Sequence, residues 1–315
     1  MRLFAAAALS GILIAGTVCA NDQKKDDPSQ IGSRDVGKGV NFYSLEKEMA
    51  LGKQLAEEVQ RQAKVLDDPL ITEYVNRVGQ NLVRNSDAKV PFKFQVIDGP
   101  EVNAFALPGG YVFVYTGLIK MADEEDEFAG ALAHEIAHVA ARHMTRNATK
   151  GQLARIGTIP LGIALGGWGG YAARQASGVA IPMTLLSFGR KDETEADYLG
   201  VQYMYAAGYD PNGAISIFEK LEALERKQPG AISRMFATHP MDADRIARTQ
   251  AEIEKILPAR TDYVVTTSEY TGIRERLMSQ EAGRKQDPKN DHPTLKIGPG
   301  AGGVQLPDER PTIKR

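Results

Sequence analysis

The 315-residue chain has one cysteine, Cys19, one tryptophan, Trp168, and five histidines. A single cysteine excludes a disulfide framework within the chain. Charge is nearly balanced, at −2. No basic footprint for nucleic acid follows from that, and no strongly acidic substrate is implied. No internal repeat is present, which excludes a helical-repeat module. The uncharged run Ile156–Ala173 contains six glycines and Pro160, a composition too broken for a membrane helix. What remains is 43% hydrophobic content, enough for one sizeable core or for one domain with appendages.

The N-terminus reads as a targeting segment. Arg2 precedes the uncharged run Leu3–Ala20, and the polar "NDQKKDD" follows. A basic start, an apolar centre and small residues before a polar stretch make a secretory signal. Val18 and Ala20 satisfy the small-residue rule for cleavage after Ala20. Two alternatives are an uncleaved anchor, since the run nearly spans a bilayer, and a lipoprotein at Cys19, for which Gly16 and Val18 are poor matches. Cleavage after Ala20 leaves no cysteine, which suits an oxidising compartment.

Residues 21–40 are polar and Gly-rich and are expected to form a linker. Helical periodicity covers Ser44–Lys64, with Ser44 as N-cap, and Pro69–Arg84, with Pro69 at the helix start. Phe92–Ile97 alternates like a strand, and "VNAFALPGGYVFVY" reads as two strands around a Pro-Gly-Gly turn. Further helices are predicted over about 190–207, ended by Gly208, about 212–227, begun by Asp210-Pro211, and about 240–256. "DYVVTTSEY" predicts a short strand and the next ten residues a small helix, so 259–280 is a strand–helix extension. From Glu281 on, five prolines and five glycines fall in 35 residues, a composition expected of a disordered tail.

Three of the five histidines lie in "EEDEFAGALAHEIAHVAARHM", Glu124–Met144. At roughly 100° per residue, His134 and His138 share one helix face, one turn apart, where two imidazoles can grip one zinc ion. Glu135 lies beside them, about 60° from His138, placed to act as a base on metal-activated water. His143, nine residues after His134, falls on the opposite face of a continuous helix and is expected at the surface or in a second layer. A third ligand must come from elsewhere, and glutamate is the usual alternative. In "RKDETEADYLGVQYMYAAG", Ala196, Leu199, Gly200, Tyr203, Met204 and Ala207 share a face. Glu193 lies on that face, Asp197 at its border, and Glu195 outside it as an ordinary solvent charge. A buried carboxylate needs a partner, which zinc would be for Glu193. Asp197 is placed to accept from the far nitrogen of a ligating histidine.

His134-Glu135-x-x-His138 followed by Glu193-x-x-x-Asp197 resembles the gluzincin metallopeptidases. More closely it resembles the peptidase family of the CAAX prenyl endopeptidases, HtpX-like proteases and BepA-like proteases. "NAFALPGG", Asn103–Gly110, "EADYLG" around Asp197, and "THPMDADRI", Thr238–Ile246, resemble three further elements of that family in the same order. The similarity covers roughly residues 41–275. The resemblance implies an α+β fold, a mainly helical zincin-like core with a small antiparallel sheet beside the zinc helix. The implied peptidase domain covers 41–258, and residues 281–315 are the tail. It also implies one Zn2+ held by His134, His138 and Glu193, with Glu135 as catalytic base. His239 is expected in the active site, as an oxyanion donor or a fourth ligand, or else as a plain loop residue. Arg245 is expected to hold that loop or to contact substrate. The strand carrying Asn103, Ala104 and Phe105 either binds an extended peptide by edge pairing or is plain core.

Multiple membrane spans and a helical-repeat module, found in branches of that family, are both missing here. The expectation is therefore an exported, core-only zinc endopeptidase of the bacterial envelope. It would act on polypeptides, by family analogy misfolded or unassembled envelope proteins, in the periplasm, with 156–188 as a lid, a peripheral membrane contact or a loose core loop. A non-proteolytic, chaperone-like protein with a closed structural zinc site is the alternative.

Overall fold

The computed structural model describes residues 27–156, 187–227, 239–240 and 244–286. The expected signal segment, most of 156–188 and the tail beyond residue 286 lie outside these residues. Helix α1, Leu45–Gln62, starts where Ser44 caps the backbone N–H of Lys47. Helix α2, Pro69–Arg84, starts on Asp68, with proline in the first turn, where its missing N–H costs nothing. Strands β1, Lys93–Ile97, β2, Ala104–Leu107, and β3, Tyr111–Tyr115, follow. Then come α3, Thr116–Met121, α4, Glu125–Ala140, and α5, His143–Ile156. The remaining helices are α6, Arg190–Ala207, α7, Asn212–Lys227, α8, Arg245–Ile256, and α9, Ser268–Gln286.

This is the expected α+β class, with one correction. The sheet is mixed, not antiparallel. Its order is β1-β3-β2, with β1 parallel and β2 antiparallel to β3. The β2–β3 hairpin turns at Pro108-Gly109-Gly110, where φ is +74° at Gly109 and +90° at Gly110, a region glycine reaches without a Cβ clash.

Every residue of α4 is buried. A helix apolar nearly all round belongs at the centre of a core, and α4 is packed by α6, α7, α2 and β2. The main core joins α2, α4, α6 and α7 with one face of the sheet; a second cluster puts Leu55 and Val59 of α1 against Phe105 and Phe113 on the other face.

Three boundaries differ from expectation. Part of the expected linker is anchored: Val36 is buried, and buried Arg34 donates to Asp87 at 2.6 Å and to Gln202 of α6 at 2.6 Å. Residues 259–267 form no extended strand and make one parallel bridge, Val264 to Tyr209. Helix α9 runs through Gln286, six residues into the expected tail, because Tyr270, Ile273 and Leu277 bury against the core.

Candidate metal centre

Three elements converge on one point beside α4. From α4 come His134, Glu135 and His138, from α6 Glu193 and Asp197, and from the stretch before α8 His239; all six are buried. His134 Nδ1 lies 2.9 Å from Asp197 Oδ1. In the neutral ring the proton therefore sits on Nδ1, donated to the carboxylate, and Nε2 is left with the lone pair a metal would take. That Nε2 is 2.9 Å from His138 Nε2 and 3.3 Å from His239 Nδ1. Glu193 Oε1 is 3.3 Å from His138 Nε2 and 3.1 Å from His239 Nδ1. Four donors from His134, His138, Glu193 and His239 thus gather within 4.8 Å of one another.

Their chemistry fits zinc. A tetrahedral set at zinc's usual bond lengths has ligand atoms about 3.3 Å apart, close to the 2.9–3.3 Å found here. Two imidazole lone pairs facing each other repel unless a cation or a proton lies between them. Two further atoms in the group, Glu193 Oε2 and His239 Nε2, are buried without a hydrogen bond but lie within ion-pair distance of Arg245 and Glu135, at 3.1 and 3.3 Å.

The electrostatics sort the roles. Burial pushes the Glu193 carboxyl up, but His239, His134 and His138 outweigh it and hold the group well below the usual carboxylate range. Burial likewise raises Asp197, and Arg245 overcomes it. Burial alone would lower His134, yet Asp197 and Glu193 lift it to about 9. Burial, with His134 adding to it, pushes His138 well below its normal value. Glu135 goes the other way. Burial raises its pKa against the pull of His239 and His134, and its Oε1 lies 3.3 Å from His239 Nε2.

Arg245 sits under the site, 1% exposed. It donates to both oxygens of Asp197, at 2.7 and 2.6 Å, and lies 3.1 Å from Glu193 Oε2. Its guanidinium also stacks on Phe218, 4.3 Å from the ring centre. The residue contacts both site carboxylates.

The structure brings together His134, Glu135, His138, Glu193, Asp197, His239 and Arg245. Asn103, Ala104 and Phe105 lie on or just before β2, one of the two edge strands of the sheet and the one packed on α4. Phe105 stacks on Phe113 at 5.2 Å in the second core cluster, so its side chain turns to the core. Asn103 Oδ1 is buried without a hydrogen bond.

One expectation is narrowed and one is corrected. Of the two places expected for His143, the surface or a second layer, the structure gives the second: the residue is fully buried, with Nδ1 3.0 Å from His138 Nδ1. Glu195 is no plain solvent charge, because its carboxylate lies 3.2 Å from both His143 and Arg146. Phe188, which no sequence signal singled out, stacks on His138 at 3.9 Å.

The model of "Peptidase family M48" matches residues 69–253. The beta-barrel assembly-enhancing protease of Yersinia pestis is 29% identical over 280 residues, which are 86% of this chain and 57% of that protein. Its counterpart in Escherichia coli (strain K12) is 31% identical over 265 residues, 80% of this chain and 53% of that protein. Mitochondrial metalloendopeptidase OMA1 of Schizosaccharomyces pombe is 36% identical over 189 residues, 59% of this chain and 53% of that protein. The chain spans a little over half the length of these relatives.

Proposed function

The chain belongs to peptidase family M48, and from that premise we propose that it is a zinc-dependent endopeptidase of the bacterial cell envelope. The observation that carries the reading is the buried group of His134, His138, Glu193 and His239, with the Glu135 carboxylate at its side. His134, His138 and Glu193 hold the metal. When bound, zinc polarises the scissile carbonyl and lowers the pKa of a coordinated water to about 7. Glu135 is the base. It takes a proton from the attacking water, a step its raised pKa favours, and delivers it to the leaving amine. Asp197 keeps the proton of His134 on Nδ1, and Arg245 fixes Asp197 and Glu193 together. The peptide lies along the outer edge of β2, held by backbone pairing near Asn103, Ala104 and Phe105.

His239, with Nδ1 3.3 Å from His134 Nε2 and 3.1 Å from Glu193 Oε1, would supply a fourth donor in a resting site; the other role open to it is a donor to the developing oxyanion. A closed structural zinc site without proteolysis would have no use for Glu135, a buried carboxylate whose Oε2 makes no hydrogen bond. That atom favours the peptidase reading over the structural one.

The substrates in this reading are envelope proteins that are misfolded or not yet assembled, in keeping with the beta-barrel assembly role that the relatives' names state. Residues 1–20 direct export and are then removed, so the mature chain starts at Asn21 in the periplasm, with its peptidase domain over 41–258. No helix among the described residues is long and apolar enough to cross a membrane. Contact with a membrane surface through 156–188 belongs to the same proposal.

The test is digestion of an unfolded protein alongside a zinc assay. Wild type should bind one zinc and cleave; Glu135→Gln should bind one zinc and lose about a hundredfold or more in turnover. His239→Ala should keep zinc and cleave faster if His239 is the resting donor, slower if it serves the oxyanion. Full turnover by Glu135→Gln refutes the mechanism.

A further inference from the structure

A row of contacts leads outward from His138 that hydrolysis does not use. His138 directs Nε2 to the donor group and Nδ1 away from it, 3.0 Å from Nδ1 of His143. The other nitrogen of His143, Nε2, lies 3.2 Å from Glu195 Oε2. Arg146 Nη1 reaches the same oxygen at 3.2 Å. A lone pair committed at His138 Nε2 leaves the proton on Nδ1, so His138 donates. His143 must then accept on Nδ1, carry its own proton on Nε2 and donate to Glu195. Each atom in the row has one possible role, and the row ends on an anion that Arg146 keeps in place.

The ring of His138 needs such a device. Phe188, stacked 3.9 Å away, fixes the plane of the ring. Stacking does not distinguish the two ring flips, one of which would put the carbon Cε1 where Nε2 faces the donor group. An acceptor at Nδ1 does distinguish them. His134 has its acceptor in direct contact, Asp197 at 2.9 Å, whereas His138 reaches a carboxylate only through His143.

The chain bends on purpose to bring this about. A continuous helix would carry His143 away from His138. Instead α4 ends at Ala140, and Arg142 takes φ +58°, the one non-glycine residue with positive φ among the described residues. Such a conformation is uncommon outside glycine and persists where its surroundings over-determine it. Here Arg142 donates to buried Glu48 at 2.8 Å and to the Tyr43 carbonyl, while Thr145 also donates to Glu48. Helix α5 then restarts at His143, folded back against His138.

We propose that His143 and Glu195 are positioning residues for His138, together fixing its tautomer and ring orientation so that Nε2 is presented to the metal. The proposal rests on the zinc reading given above.

The experiment measures zinc dissociation constants of the full mature chain by chelator competition, with thermal unfolding of the metal-stripped protein in parallel. His143→Leu removes the acceptor and should weaken zinc about 10- to 100-fold. His143→Gln keeps an acceptor and a donor in one side chain and should recover most of that loss. Glu195→Ala, at a position only partly buried, should weaken zinc severalfold and decides the matter if His143→Leu does not fold. The metal-stripped variants should melt with the wild type. Wild-type zinc affinity in both His143→Leu and Glu195→Ala overturns the proposal. So does a loss in His143→Leu that His143→Gln shares in full, or one matched by a lower melting point of the metal-stripped protein, since either outcome marks a packing role. A wild-type chain that takes up no zinc refutes the zinc reading itself, and the proposal with it.

Discussion

Replacing Arg245 with methionine isolates the charge beneath the metal site, because methionine fills much of the stem's volume without the guanidinium. Arg245 is 1% exposed, and its bidentate bonds to Asp197 are 2.7 and 2.6 Å long. Removing one partner of a buried pair leaves the other uncompensated, at a cost of about 3–5 kcal/mol. Loss of the stack on Phe218 adds about 1 kcal/mol. The expected destabilisation of the metal-stripped protein at neutral pH is therefore ~4–6 kcal/mol. At about 2–4 °C per kcal/mol for a chain of this size, the melting point should fall by roughly 8–24 °C. Asp197 adds a pH signature. Arg245 holds its folded pKa below the unfolded value, so the pair stabilises above the unfolded pKa and that stability is lost as pH falls through the folded one. The gap between wild type and Arg245→Met should thus narrow on acidification. Urea unfolding at two pH values measures it. The double variant Arg245→Met/Asp197→Asn removes both charges and should recover more than half of the loss. A single-variant cost below ~1 kcal/mol, or a double variant as poor as the sum of its singles, refutes the view that Arg245 offsets a buried carboxylate.

Asp126 offers a stability test far from the metal chemistry. Burial raises its pKa to about 7, so the folded state favours the protonated acid, and the stability this gives at low pH is lost as pH rises from the unfolded pKa through about 7. Asp126→Asn should raise the melting point at pH 8 and leave it unchanged well below pH 4; an equal effect at both would refute the titration. Gly52→Ala puts a Cβ 1.7 Å from the Pro108 carbonyl oxygen, a backbone atom that must shift. Overpacking of this kind costs about 1–3 kcal/mol. Because Pro108 ends the β2 strand, peptide cleavage should drop with stability; an alanine variant with the wild-type melting point would show that the helix yields instead.

What was legible in the sequence was local. Ser44, Pro69 and Gly208 mark helix ends through the capping chemistry of their own side chains or the lack of one, and each stands at the end it predicts. The i, i+4 spacing of His134 and His138, and the facing of Glu193 and Asp197, follow from the period of an unbroken helix, and α4 and α6 are unbroken across those residues. The parallel pairing of β1 with β3 was not legible, because alternation fixes which side chains share a face but not which strand lies alongside or in which direction. Arg34 shows the same limit. In a polar, Gly-rich stretch it reads as solvated, and distant partners, Asp87 53 residues on and Gln202 of α6, make its burial tolerable.

His143 marks where the helical argument itself fails. Facing angles hold only while the helix continues, and "HVAARHM" contains neither glycine nor proline to announce a break. The break is enforced from outside, by Glu48 on α1 drawing in Arg142 and Thr145. Nothing within ten residues of Arg142 encodes that pull. The order of dependence follows. The ligands His134 and His138 need only α4, Glu193 needs α6 packed on α4, and the support behind His138 needs α1 in place as well. Disturbing α1 at Glu48 should therefore loosen the back of the metal centre while leaving the spacing of its two histidines intact.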